Sequence, residues 1–248
     1  MFLLLFPWGA AALAQPLPSI PAAPAGVRQP LERAEDLVYS ETATTSSIRG
    51  TLGEAQAALR ALPAGPARSY WGARIHLLMG SHLNQQGDSR AAVRELQQGF
   101  ALLQEARSAG EFSDGLRMEA DLHSQMMMAR GLIYMMRNGE AARNAAFRAR
   151  ELDPTNVRAL ISVAGFYLNA PPIAGGDVTA GIAVLEEALS LEPDNRNDRF
   201  MILGWLAQAH QSSGELDQAR EYIARARQIY PGSPWIAGIA AETTPPTR

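Results

Sequence analysis

Residues 200–233 read FMILGWLAQAHQSSGELDQAREYIARARQIYPGS. On both sides of Ser213-Gly214 the apolar residues recur every three or four positions, the pattern of two amphipathic helices joined by a tight turn. Small residues stand at Ala207, Ala219 and Ala226 and a proline at Pro231, at intervals of 12, 7 and 5. Where helices cross, a small side chain lets the backbones approach. The proline, lacking an N–H, closes the second helix.

The same spacing appears upstream. Gly165, Gly181, Ala188 and Pro193 repeat the set, with four extra residues in the turn. Gly80, Ala92 and Gly99 restore the intervals of 12 and 7, with Gln104 where the proline would stand. Ala142, Ala149 and Pro154 give 7 and 5, but the upstream small position falls on Arg130, with Gly131 beside it. The unit ends also match: Leu152-Asp-Pro154-Thr-Asn156, Leu191-Glu-Pro193-Asp-Asn195 and, more loosely, Ile229-Tyr-Pro231-Gly-Ser233. A period of this length marks a solenoid of helical hairpins. The expected fold is all-α, a right-handed superhelical stack of antiparallel hairpins over 67–233, with units at about 73–106, 118–154, 158–193 and 200–233. The Met-rich helix over 114–137 is expected to turn at Asn138-Gly139. Leu31–Tyr39 and Ser47–Leu62 form an N-terminal capping pair over 31–66, ended by Pro63-Ala64-Gly65-Pro66.

The ends read differently. Residues 1–14, MFLLLFPWGAAALA, are almost wholly apolar and finish in Ala12-Leu13-Ala14, a small-x-small cleavage pattern. The run is too short to span a bilayer and reads as a secretory signal peptide, which implies a periplasmic or secreted bacterial protein. Residues 15–30 carry five prolines and read as a linker, and 234–248 as a C-terminal tail.

Composition narrows the function. Hydrophobic residues make up 47% and charged residues 19%, as in an ordered chain. A net charge of −3 argues against nucleic acid, which selects a basic face. With no cysteine, disulfides, thiolate catalysis, zinc fingers and a lipid-bearing cysteine are all excluded.

On these residues the chain resembles the tetratricopeptide-repeat superfamily from roughly Ala73 to Ser233. The resemblance implies stacked helix pairs whose first helices line a concave groove, and binding of a peptide or protein rather than catalysis. The segment Phe166-Tyr-Leu-Asn-Ala-Pro171-Pro172-Ile-Ala-Gly175-Gly176-Asp177 is similar to a loop in secreted bacterial repeat proteins of the TatT type. Those proteins are partners of periplasmic solute transporters, which implies an accessory role in solute uptake.

The repeat register places Arg74, Leu77, Asn84 and Gln85, then Met127, Gly131 and Tyr134, then Ser162, Phe166 and Asn169, then Gly204, Gln208 and Gln211 on the groove. Such a lining suits a protein or peptide held by apolar anchors and amide hydrogen bonds, not an acidic tail. In the loop of Pro171, Pro172, Gly175, Gly176 and Asp177, the aspartate can cap the next helix. No Lys or Thr stands there in phosphate-loop spacing. Methionines over 118–136 with His123 suit packing or an apolar surface better than a soft metal. His76, His82, His123 and His210 lie in no H-E-x-x-H context, and no serine lies in G-x-S-x-G. Glu35-Asp36 and Glu186-Glu187 read as solvated pairs. No catalytic residue, metal or cofactor is expected, and no stable membrane insertion after signal cleavage. The alternative partner is an apolar small ligand, which would need an enclosed cavity near Tyr134 and Phe166.

Overall fold

The structure is a computed structural model that describes residues 22–243 apart from residue 109. The signal peptide, its cleavage site, residues 15–21 of the linker and residues 244–248 of the tail lie outside the described residues. Among the described residues eleven α-helices follow one another: α1 (Ala25–Ser40), α2 (Thr45–Arg60), α3 (Pro66–Gln85), α4 (Ser89–Ala106), α5 (Ser113–Arg130), α6 (Leu132–Leu152), α7 (Val157–Asn169), α8 (Val178–Ser190), α9 (Arg196–Ser212), α10 (Leu216–Ile229) and α11 (Pro234–Thr243). A short 3-10 turn, Pro172–Ala174, precedes α8.

Side-chain caps start several helices where the sequence offers them. Thr44, Asp88, Asn156, Asp177 and Asn195 each accept a backbone N–H from the first turn that follows. Each odd-numbered helix from α1 to α9 packs on the next to form an antiparallel pair, and the pairs stack into an all-α solenoid. Helices α1, α3, α5, α7 and α9 touch in succession along the inner side, and the stack curves until α1 also meets α9.

The small residues work as the spacing implies at most crossings. A Cβ on Gly80 would stand 2.7 Å from the Leu96 side chain, and one on Gly99 would stand 2.9 Å from Leu122. One on Gly181 would meet Leu168 at 2.7 Å. Gly165 has nothing within 4 Å, so that position does not mark a close approach.

Three expectations are corrected. The linker does not extend to residue 30: α1 begins at Ala25 and holds Pro30 inside it, buried. Val27, Leu31, Ala34 and Val38 form one buried helical stripe, and their packing outweighs the hydrogen bond that Pro30 forfeits. The tail does not begin at 234: α11 buries Ile236 and Ile239, and Trp235 fills the notch over Gly204, where a Cβ would lie 2.3 Å from its ring. The Met-rich helix does not run to Arg137. It stops at Arg130, and Gly131 turns the chain with φ 67 and ψ −156, backbone angles open almost only to glycine. Arg130 is too large for the position where other units have Gly80 or Ala207. The chain therefore leaves the helix there instead of driving a guanidinium into the crossing.

Candidate binding surface

The inner helices carry a polar cluster that takes in the middle of α1 and α3 and the first turns of α7 and α9. Glu35 of α1 is buried at 2% exposure and accepts from two arginines on different helices. Arg74 of α3 is one. Arg158 of α7 is the other, donating to both carboxylate oxygens at 3.0 and 3.2 Å, a fork that matches the carboxylate plane. Arg158 Nε also reaches Asp198 of α9 at 2.8 Å. Burial works against the Arg158 charge, but the carboxylates of Glu35 and Asp198 more than offset it and hold its pKa above the usual range. Burial raises the Asp198 pKa, and Arg158 opposes part of that rise. Tyr39, one turn after Glu35, is held protonated by burial and by the nearby Glu35 charge.

Two further sets extend the cluster. Arg117 of α5 is fully buried and donates to Asp121 at 2.9 Å and to the Tyr70 hydroxyl at 3.0 Å. Ser162 of α7 donates to Asp121 at 2.8 Å. Asp36 of α1 accepts from Arg196 at 3.0 Å, from Asn197 at 3.1 Å and from the Tyr230 hydroxyl at 2.8 Å. Five inner helices are thus tied through the carboxylates of Glu35, Asp36, Asp121 and Asp198.

The expected groove residues therefore separate into two groups. Arg74, Leu77, Ser162 and Gly204 belong to the filled interior: Arg74 is held by Glu35, Leu77 is buried in the core, Ser162 binds Asp121, and Trp235 covers Gly204. The others sit toward the C-terminal ends of inner helices. Asn84 donates to the Gln125 carbonyl and side-chain oxygens, both at 2.9 Å. Gln85 donates to the Val38 carbonyl at 3.1 Å. Exposed Asn169 donates to the Gly165 carbonyl at 2.7 Å. Gln208 accepts from the Trp235 indole at 3.3 Å, and Gln211 donates to Glu242 at 3.1 Å. Met127 is half-buried at the end of α5. Phe166 packs edge-on to Phe147, and the Arg143 guanidinium stands 5.6 Å from its ring centre.

Tyr134 departs from its expected place. The turn at Gly131 moves it off the inner helix and onto α6, where its hydroxyl pairs with His123 Nδ1 at 3.0 Å. The loop residues have structural duties. Asp177 accepts from Ala180 N at 3.0 Å, and a Cβ on Gly176 would lie 1.8 Å from the Ala170 carbonyl oxygen, so only glycine fits. Pro171 and Pro172 are exposed, and Gly175 turns the chain after the short 3-10 turn at φ 92.

Reading Glu35-Asp36 as a solvated pair is corrected by the burial of Glu35. A signal was present: Leu31, Glu35 and Tyr39 are four apart and share one face of α1. Arg117, Arg158 and Asp198 carried no such local mark, because their partners are distant in sequence.

Two open surface pockets, of about 600 and 810 Å³, flank the C-terminal half of α4. Neither reaches Tyr134 or Phe166. Among the described residues no group of three or more His, Asp or Glu side chains could hold a metal ion, and no helix is long and apolar enough to cross a membrane.

The profile of the tetratricopeptide repeat family matches residues 173–242, which span α8 to the end of α11 but for its last residue. No curated protein matches the sequence. Among solved structures, the crystal structure of a thermophilic TPR protein from Thermus thermophilus superposes with a TM-score of 0.55 at 19% identity, over 87% of this chain and 97% of that one. At that identity the likeness is one of fold. Residues 173–242 thus carry the tetratricopeptide-repeat signature, within a helical-hairpin solenoid that shares its fold with that protein.

Proposed function

We propose that the protein is a non-catalytic adaptor of the bacterial cell envelope that binds a protein or peptide at the C-terminal rim of its inner helices. The division of the inner face carries this reading. The ion pairs at the first turns of α7 and α9 close that part of the inner face, while the rim gathers Phe166 and Met127 with the amides of Asn84, Gln85, Asn169, Gln208 and Gln211, each of which uses only part of its hydrogen-bonding capacity within the chain. Amide groups bind main chain, and half-buried apolar side chains give anchors their pockets. Arg74, Arg117 and Arg158 each already hold a carboxylate of this chain, so the partner is not recognised through an acidic tail. The envelope location rests on the apolar leader and its Ala12-Leu13-Ala14 pattern.

The test is affinity capture from envelope extract, followed by titration of the purified captured protein against the wild-type chain and a Phe166→Ala, Asn169→Ala, Gln208→Ala triple variant. The expected result is one specific partner whose affinity falls at least about tenfold for the variant. A folded bait that captures nothing, or a partner that binds the variant equally well, overturns the reading.

A further inference from the structure

Five large apolar side chains stand in solvent at one corner of the molecule: Met128 is 66% exposed, Leu132 63%, Ile133 68%, Met135 38% and Met136 77%. The other large apolar residues exposed among the described residues are Ile173 and Val178, at the start of α8 and the turn before it, and Leu191, just after α8. The corner follows from the turn at Gly131. Because α5 ends there, residues 132–136 begin a new helix instead of continuing along the inner row. Leu132 and Ile133 stand four and three positions before Met136, so each lies beside it on the outer face, while Tyr134 turns back to His123. Scattered surface hydrophobics need no explanation, but five large ones exposed between residues 128 and 136 form a cluster of the kind that is often functional.

What covers it can be argued from area and charge. A stable interface buries about 800 Å² per partner, with an apolar centre and a polar rim. The five side chains supply such a centre, and exposed Arg130, Arg137 and Glu140 supply the rim. A rim with both signs is what a surface needs to meet itself, since a two-fold axis sets residue i against j and j against i. Anionic lipid would select the arginines and disfavour Glu140.

We propose that this corner is the interface of a symmetric homodimer, in which residues 132–136 of one copy pack on the same residues of the other. In that arrangement Arg137 of each copy faces Glu140 of its partner.

Sedimentation equilibrium of the full chain from about 1 to about 100 µM tests it, the range in which mass action separates monomer from a micromolar dimer. Wild type is expected at twice the chain mass at the upper end. Ile133→Glu and Met136→Glu are expected to weaken association at least about tenfold, with a melting curve unchanged at concentrations where wild type is itself monomeric, since both positions are exposed in the single chain. A second measurement does not depend on destabilising the contact. The chain has no cysteine, so Met136→Cys is expected to form a covalent dimer under mild oxidation, and Gln97→Cys, exposed on α4, is not. A wild type that stays monomeric throughout, a dimer indifferent to Ile133→Glu, or equal cross-linking at both cysteines overturns the proposal. So does a monomer that floats with phosphatidylglycerol–phosphatidylethanolamine vesicles and loses them on Ile133→Glu, which would give the corner to a membrane surface.

Discussion

Glu35 shows how one side chain can join distant parts of this chain. Its carboxylate sits between guanidiniums on α3 and α7, and removing it leaves two buried cations without their common partner. Breaking a buried pair from one side costs about 3–5 kcal/mol. Glu35→Ala is therefore expected to lower the unfolding free energy by that amount in a denaturant titration, and a loss below about 1 kcal/mol would refute the assignment. A second expectation concerns pH. Burial lowers the pKa of His82 and His123 beneath their ordinary value of 6.5, with Glu119 opposing part of the shift at His123. Below pH 6.5 the unfolded chain takes up protons that the folded chain does not, so stability is lost as pH falls through 6.5 toward the folded values. Unfolding midpoints at about pH 7.5 and about pH 5.5 should differ less in a His82→Gln, His123→Gln variant than in wild type. The four histidines were visible in the sequence, but which were buried was not, since that depends on neighbours such as Thr45 and Tyr134.

At the scale of the element, the corner between α5 and α6 is the most informative. Asn138-Gly139 is the stronger turn signal in the sequence, yet the chain turns at Gly131 and runs helically through Gly139. The two sites make opposite predictions for the same substitution. Gly131→Ala forces a side chain into a positive-φ conformation and is expected to cost about 1–3 kcal/mol. Gly139→Ala replaces a helical glycine with nothing within 4 Å of the added Cβ and should stabilise by about 0.5–1 kcal/mol. Thermal melts of the two variants in the reverse order would return the turn to Asn138-Gly139 and remove the exposed Met-rich face with it. The start of α1 and the whole of α11 went unread for a different reason. Proline density at 15–30 hides the start of α1, and the start signal of Ser233-Pro234, whose hydroxyl accepts from Ile236 N at 3.4 Å, is followed by only a short run. Burial of Val27 and Ile236 against other units decides both.

For the molecule as a whole, the decisive contact is between the first and fifth inner helices. Asp36 holds Arg196, Asn197 and Tyr230 from more than 150 residues away, while few other contacts join α1 to α9. Asp36→Ala is therefore expected to loosen the closure without unfolding the hairpins. Small-angle scattering should show a radius of gyration above that of wild type, against about 18 Å for a compact chain of this length. Raised salt should push wild type the same way, because Arg196 and Asp36 are partly exposed and screened. An unchanged scattering curve in both cases would mean that apolar packing, not Asp36, closes the stack.

The hairpins, most of their turns and their order are legible in the sequence. Those rest on periodicity, small residues at crossings and capping side chains, all of which act within a few turns of helix. What depended on the packing of distant units is that ion pairs close the inner face at the first turns of α7 and α9, which guanidiniums Glu35 meets, and that the chain turns at Gly131. Each of those outcomes depends on how separate units press on one another. A carboxylate on α1 meets guanidiniums on α3 and α7 only once the stack has curved, and nothing near Glu35 in sequence foretells that curvature.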